Sequence, residues 1–336
     1  MANIFQNKNI LVTGGTGSIG SEIVRKVLQY KPKVVRVFSN DENELFNLEQ
    51  ELGNYLNVRF LVGDVRDKER LQRAVEGIDF VFHAAALKHV PLCEYNPFEA
   101  VKTNVLGTQN LIEAAMEEEV GKLITISTDK AVNPVNVMGA TKLLAERLTI
   151  SANYYKGMRK TVSSCVRFGN VLDSRGSVVP LFKGQIKKGG PVTITAPNMT
   201  RFVMSIPKAV DLVLKAAETA QGKEIFIFKM STLRIGDLAK AMIDELAPSY
   251  GYNPESIKVE IGGKRAGEKN YEELLTDDEA MNASETEDMF IITPAAKNQE
   301  NKKKISAREY RSDRDAILLT KEEIKEMLRD VLPQPL

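Results

Sequence analysis

Short apolar runs recur along the first half of the chain, at Asn9–Thr13, Val34–Phe38, Val58–Val62, Phe80–Phe82, Leu123–Ile126 and Val162–Arg167. Most are near-continuous rather than alternating, the pattern of strands covered on both faces. Between them apolar positions fall at helical spacing, as at Ile23, Val24, Val27 and Leu28, from Pro97 to Glu117, and from Leu143 to Tyr155. Strands and helices alternating at these lengths predict an α/β chain with a doubly wound parallel sheet. The rhythm breaks after Phe168, where loops rich in Gly, Ser and Pro run on to Phe202. A helix over Ala209–Thr219 and a strand over Glu224–Phe228 are predicted to return to the sheet. The helix Ile235–Leu246, the run Lys258–Ile261 and the loop Gly262–Lys269 read as a smaller α/β lobe, on which an amphipathic helix over Lys321–Leu332 docks. No internal repeat is visible in the sequence.

Candidate chemistry gathers at the ends of the predicted strands. Gly14, Gly17 and Gly20 form a G-x-x-G-x-x-G loop between the first strand and the first helix, with Thr16, Ser18 and Ile19 between them. Glycine is needed where backbone turns sharply against a pyrophosphate, and the helix N-terminus adds amides and a positive dipole. The second strand ends in Ser39, Asn40 and Asp41, with no basic residue before Glu42. An acid there suits a ribose 2′-hydroxyl and an arginine a 2′-phosphate, so NAD is expected over NADP, which Arg36 leaves open. Asp64 and Val65 end the third strand, where Asp64 is placed to meet the adenine amino group. Ala84, Ala85 and Ala86 permit close backbone approach to a flat cofactor; Lys88 and the helical Asn104 complete the cofactor-binding candidates. Residues 1–168, with about 203–230 returning, thus read as a Rossmann-like dinucleotide-binding domain, and 169–336 mainly as a substrate lobe.

The stretch Ser127–Lys142 follows the fifth strand and holds Asp129, Lys130 and Lys142. A carboxyl beside an amine supplies acid and base in one site if burial brings their pKa values together. Basic residues recur in the lobe's loops at Arg175, Arg201, Lys264, Arg265 and Lys269, a set suited to a diphosphate. Asn298–Lys304 reads as a solvated loop.

Composition narrows the class. With 336 residues, 43% apolar and 27% charged, the chain is long enough for a full α/β core and has ordinary globular chemistry. A net charge of +1 gives no global field for nucleic acid or an anionic membrane. Cys93 and Cys165 have neither metal-type spacing nor a disulfide framework, so no metal and a reducing, cytoplasmic setting are expected. No apolar run approaches the roughly 18–20 residues of a membrane span.

Taken together, the glycine loop, His-Ala-Ala-Ala at 83–86, Ser-Thr-Asp-Lys at 127–130, Met-Gly-Ala-Thr-Lys at 138–142 and Arg-Phe-Gly-Asn-Val at 167–171 resemble the extended short-chain dehydrogenase/reductases. Met-Thr-Arg-Phe at 199–202 and Gly-Glu-Lys at 267–269 extend the resemblance over nearly the whole chain, most closely to UDP-N-acetylglucosamine 4,6-dehydratases of bacterial glycan biosynthesis. That resemblance implies a catalytic set of Thr128, Asp129, Lys130 and Lys142, with Lys142 also holding the nicotinamide ribose. It implies substrate contacts from Lys88, His89, Met138, Asn170, Val171, Arg201, Arg265 and Glu268, a UDP-sugar substrate, and a homo-oligomer. One departure matters: the superfamily's catalytic tyrosine stands four residues before its lysine, and here that position is Met138. A thioether exchanges no proton. Methionine there resembles the dehydratase branch that retains configuration at C5.

The implied reaction oxidises C4 with NAD, removes the C5 proton with a neutral Lys130, and expels the C6 hydroxyl with a proton from Asp129. The hydride then returns to C6. This needs the Asp129 pKa raised and that of Lys130 lowered. The acceptor of the O4 proton stays open between Asp129 and a Thr128–water relay to Lys142. An epimerase or 4-reductase of the same fold, and an inactive nucleotide-binding relative, are the alternatives.

Overall fold

The computed structural model describes residues 3–264, 267–293 and 309–331. The chain enters through β1 (Asn9–Thr13), turns at the glycine loop into α1 (Ser18–Leu28) and returns by β2 (Val34–Ser39). The unit repeats through α2 (Glu42–Glu51), β3 (Val58–Val62), α3 (Lys68–Val75) and β4 (Phe80–His83). Beyond α4 (Val90–Tyr95) and α5 (Pro97–Ala100), a wide π-helical stretch over Val101–Leu106 leads into α6 (Gly107–Glu117). Then come β5 (Lys122–Ile126), a single 3-10 turn at Asp129–Ala131, α7 (Val137–Tyr155) and β6 (Val162–Arg167).

The second half adds β7 (Asn170–Val171), α8 (Val178–Ile186), β8 (Val192–Ile194), β9 (Thr200–Met204), α9 (Ile206–Thr219), β10 (Ile225–Phe228), β11 (Ser231–Arg234) and α10 (Ile235–Leu246). It closes with β12 (Val259–Ile261), β13 (Glu273–Leu275), α11 (Asp277–Ala280), β14 (Ala283–Glu285), β15 (Met289–Ile292), β16 (Tyr310–Arg311) and α12 (Lys321–Val331).

One sheet runs in the order β14-β15-β10-β6-β5-β4-β1-β2-β3. Seven of its strands, β1 to β6 and β10, pair in parallel, and β15 and β14 add antiparallel partners at one edge. Strand order reverses between β1 and β4, which opens a crevice at their carboxyl ends. Alternate residues of β1 serve opposite faces: Ile10 and Val12 join the core that contains α1, and Leu11 joins the one that contains Leu111 of α6. A separate cluster centred on Phe182, Val192, Leu238, Met242 and Leu328 fills the lobe. Among the described residues no helix is long and apolar enough to cross a membrane.

Two predicted helices differ in ways that shape the cleft. The run Pro97–Glu117 is interrupted by the π-helical stretch, within which Asn104 turns inward and is buried. The helix expected from Leu143 starts at Val137, because the Asn136 side chain caps the Gly139 amide at 2.8 Å. The first two turns of α7 therefore carry Met138, Thr141 and Lys142. Leu332 and the Asn298–Lys304 loop lie outside the described residues.

Arg167, at the end of β6, is fully buried. It donates to Glu146 of α7 at 3.0 and 2.7 Å, to Glu279 of α11 at 2.8 and 3.0 Å, and to the Leu274 carbonyl at 3.0 Å. Burial alone would lower its pKa, but the two carboxylates outweigh that and hold the guanidinium above its ordinary value. Arg167→Leu strands two acids without their cation and is expected to cost about 3–5 kcal/mol, read as a lower urea midpoint; a midpoint at the wild-type value refutes the role.

Candidate active site

The crevice is lined first by the glycine loop. Gly14 has φ +65, and a Cβ there would lie 2.6 Å from the Ala85 amide nitrogen and 2.8 Å from the Ala84 carbonyl carbon. A Cβ on Gly20 would overlap the Gly14 carbonyl oxygen. The small residues thus let the protein's own loops close on each other. Gly17 stands at the N-cap of α1 with no side-chain cap, so the amides of the first turn are left for an external acceptor. Thr16 is tied to Ser39 at 2.8 Å. Ser18 Oγ accepts from the Arg175 amide at 3.0 Å, and Ile19 packs against the core.

At the far end of the crevice Asn40 and Asp41 are exposed, with Asp41 capping α2 through the Glu44 amide at 3.0 Å. Asp64 is clasped by Arg66 at 3.0 and 2.6 Å, and this hydrogen-bonded pairing lowers its pKa. The Val65 side chain packs against Gly107 in the core and its carbonyl accepts from Asn110. Asn104, expected at the cofactor, is spent on the protein. Its oxygen accepts from the Leu87 amide at 2.8 Å, and its nitrogen donates to the Leu87 carbonyl and Thr141 at 3.0 Å each. It fixes the loop that carries Ala84–Ala86 and Lys88.

His83, buried beneath that loop, went unassigned in the sequence. Thr108 donates its one hydroxyl hydrogen to the Asn104 carbonyl at 2.6 Å. It must therefore accept from His83 Nε2 at 3.0 Å, which leaves Nδ1 to accept from Thr13 at 2.7 Å. Burial, with Lys142 nearby, pushes the imidazole down to about 3, so it stays neutral.

The reactive groups sit where β5 gives way to α7. Asp129 has no exposed surface. Its Oδ1 accepts from the Thr128 hydroxyl at 2.8 Å and from Lys130 Nζ at 2.9 Å, while Oδ2 has no partner among the described residues. Oδ2 faces Gly169, where an added Cβ would sit 3.2 Å away. Lys142 is buried and donates to the Ile126 carbonyl at 2.7 Å; burial lowers its pKa.

Lys130 departs from expectation. Burial acts to lower its pKa, but Asp129 and a second carboxylate, Glu272, outweigh burial, so the ammonium is held above its ordinary value. Glu272 lies 3.7 Å from Lys130 and was missed in the sequence. No local pattern singles it out, since its partners Lys130 and Arg201 come from other segments of the chain.

The substrate candidates separate. Arg201 is buried on β9 and donates to the carbonyls of Thr200 and Lys269 at 2.7 and 3.0 Å, with Glu268 at 3.5 Å. Its guanidinium therefore faces the 268–272 loop instead of standing free for a diphosphate. Met138 is also packed away, against Cys93 and Ala100. Asn170 keeps a buried Oδ1 with no partner among the described residues, and Val171 beside it is core. Lys88 and His89 gather with Arg175 at the cleft: partial burial and Arg175 lower the Lys88 pKa, and partial burial and Lys88 lower that of His89. Gly176, φ +70, allows the His89 ring to pack where a Cβ would overlap it. Arg175 reaches over the glycine loop to the Thr16 carbonyl and to Glu44 at 2.5 Å. Arg265 lies outside the described residues.

Residues 10–294 match the family described as "Polysaccharide biosynthesis protein". The chain belongs to that family. It is 63% identical over 98% of its length to "Uncharacterized membrane protein MJ1061" of Methanocaldococcus jannaschii, and spans 98% of that protein. It is 45% identical over 88% of its length, and 85% of the relative's, to a Campylobacter jejuni protein named UDP-N-acetylglucosamine 4,6-dehydratase (inverting). The X-ray structure of Pen from Bacillus thuringiensis superposes with a TM-score of 0.92 at 47% identity, covering 98% of this chain and 99% of that one. The chain is thus an extended short-chain dehydrogenase/reductase, and the residues lining its crevice between β1 and β4 fit a dinucleotide: uncapped amides at α1 and a cradle without Cβ atoms.

Gly20→Ala drives a methyl into the Gly14 carbonyl. Overpacking of about 1–3 kcal/mol should weaken binding of a nicotinamide dinucleotide roughly tenfold in calorimetric titration; unchanged affinity places the dinucleotide elsewhere.

Proposed function

We propose that this protein catalyses the NAD-dependent 4,6-dehydration of UDP-N-acetylglucosamine to a UDP-4-keto-6-deoxy-N-acetylhexosamine, with retention at C5, in glycan biosynthesis. The observation that carries the reading is the Asp129–Lys130 pair, a fully buried carboxylate sharing one oxygen with an ammonium at the carboxyl end of β5. Dehydratase names among the relatives support the reaction class. Bound along the glycine loop, NAD would supply the hydride acceptor for C4 and the donor for C6.

The chain's own groups handle the protons. Asp129 has an oxygen, Oδ2, without a partner among the described residues, and takes the O4 proton as C4 is oxidised. It then hands that proton to the departing C6 hydroxyl, so one carboxyl serves as base and acid in turn. Lys130 removes the C5 proton, acidified by the C4 ketone, and returns it after C6 is reduced. Since one amine carries the proton out and back, it re-enters on the face it left, which is retention. Thr128, donating to Oδ1, steadies the carboxylate, and Lys142 is held by the Ile126 carbonyl with two hydrogens left for a ribose. Met138 contributes no proton. The sum is loss of water with the cofactor restored.

NMR of the product formed from UDP-N-acetylglucosamine in deuterated water tests the reading. A 4-keto-6-deoxy sugar with gluco configuration at C5 is expected; an unreduced hexose epimeric at C4, with O6 in place, overturns it. Asp129→Asn and Lys130→Ala should each lower turnover by roughly 100- to 10,000-fold, and near-wild-type turnover in either removes the assigned roles.

A further inference from the structure

The proton cycle above closes only if Lys130 begins it without its proton, yet in the structure that proton is held in place by two carboxylates. Asp129 cannot store it, because Asp129 must be ionised to accept from O4. Among the described residues, Glu272 is the other acid within 4 Å of Lys130. Its side chain is almost wholly buried; Oε1 lies 3.7 Å from Lys130 Nζ and 3.8 Å from Arg201 Nε, and Oε2 has no partner among the described residues. Its backbone is clamped to Ser312, whose hydroxyl accepts from the Glu272 amide at 2.9 Å and whose own amide donates to the Glu272 carbonyl at 2.9 Å. The carboxyl is thus delivered from the lobe to the catalytic turn and held there.

We propose that Glu272 is a positioning residue for Lys130, taking its proton before the C5 step and returning it afterwards; this rests on the dehydratase reading. As Lys130 Nζ turns from Asp129 and closes the 3.7 Å gap to hydrogen-bond length, its proton moves to Glu272 Oε1; the freed lone pair takes the C5 proton, and once Lys130 has returned that proton to C5, Glu272 gives its own back to Lys130. No other reactant is needed. The charged groups that face Glu272 are Lys130 and Asp129 on the turn after β5, Arg201 on β9 and Lys269 on its own loop. Burial, seconded by Asp129, raises its pKa against the opposing pull of the three cations. Protonating Glu272 also removes one of the two anions that hold the proton on Lys130.

Glu272→Gln keeps the shape and removes the store. In that variant the Lys130 proton has to leave for solvent, so kcat at pH 7 should fall about 100-fold while KM moves less than about threefold. Turnover should then climb about tenfold per pH unit as more Lys130 loses its proton. A fixed anion acts oppositely: its loss would lower the Lys130 pKa and displace the pH profile to lower pH. That displacement, or wild-type kcat at pH 7, overturns the proposal. If the Gln variant fails to fold, infrared difference spectra of the wild type decide. Adding UDP-N-acetylglucosamine should produce a protonated-carboxyl band that shifts in Glu272→Asp; no such band, or one that does not shift, overturns the proposal. Wild-type protein that yields no 4-keto-6-deoxy product defeats the dehydratase reading itself, whereas wild-type turnover with an unaltered Gln variant defeats only the role of Glu272.

Discussion

A carboxylate with no exposed surface needs a cation beside it, since the desolvation left unmatched amounts to several kcal/mol. Asp129 meets that need with Lys130, and the demand then propagates. Lys130 and Arg201, both largely withdrawn from water, draw Glu272 out of the lobe, and Arg201 in turn holds the Lys269 carbonyl. Lys269 donates to the Val132 carbonyl at 2.7 Å and Asn136 to the Gly267 carbonyl at 2.9 Å, which fastens the lobe's loop to the turn that carries the pair. A second set, Glu146–Arg167–Glu279, makes the same connection one strand over. Satisfying buried charge is what brings residues distant in sequence to the carboxyl edge of β5 and β6.

Much of the sheet was legible because its strands are buried on both faces and advertise themselves as apolar runs. The glycine loop was legible because backbone contact admits no other residue at Gly14 and Gly20. Local patterns carried less where a polar side chain is claimed by the protein. Asn104 looks like any helical asparagine until its three hydrogen bonds to Leu87 and Thr141 are seen, and a π-helical turn has no periodicity to give it away. Arg201 looked like an anion ligand because its carbonyl partners come from the backbone, which a sequence does not display. Glu272 escaped because its significance is wholly relational: it matters for what stands 3.7 Å away, on a turn placed there by a different part of the chain.

Met138 shows how a lost hydroxyl is accommodated. At the position where the superfamily resemblance leads one to expect tyrosine, the thioether joins Cys93 and Ala100 in a small apolar cluster between α4, α5 and α7. The hydrogen-bonded groups of the turn, Thr128, Asp129 and Lys130, have no counterpart in that cluster.

The span of the Arg167 contacts bears on how the chain is made. The acids that neutralise it stand 21 residues before it and 112 residues after it. A ribosome that has released only the first six strands has produced half of an ion cluster, and β6 still lacks its neighbour β10. Until the C-terminal segment emerges, the nascent sheet carries an open edge and an incompletely matched guanidinium at the same strand. Closure of that edge and full neutralisation of Arg167 therefore wait for β10 and Glu279 to follow in the chain.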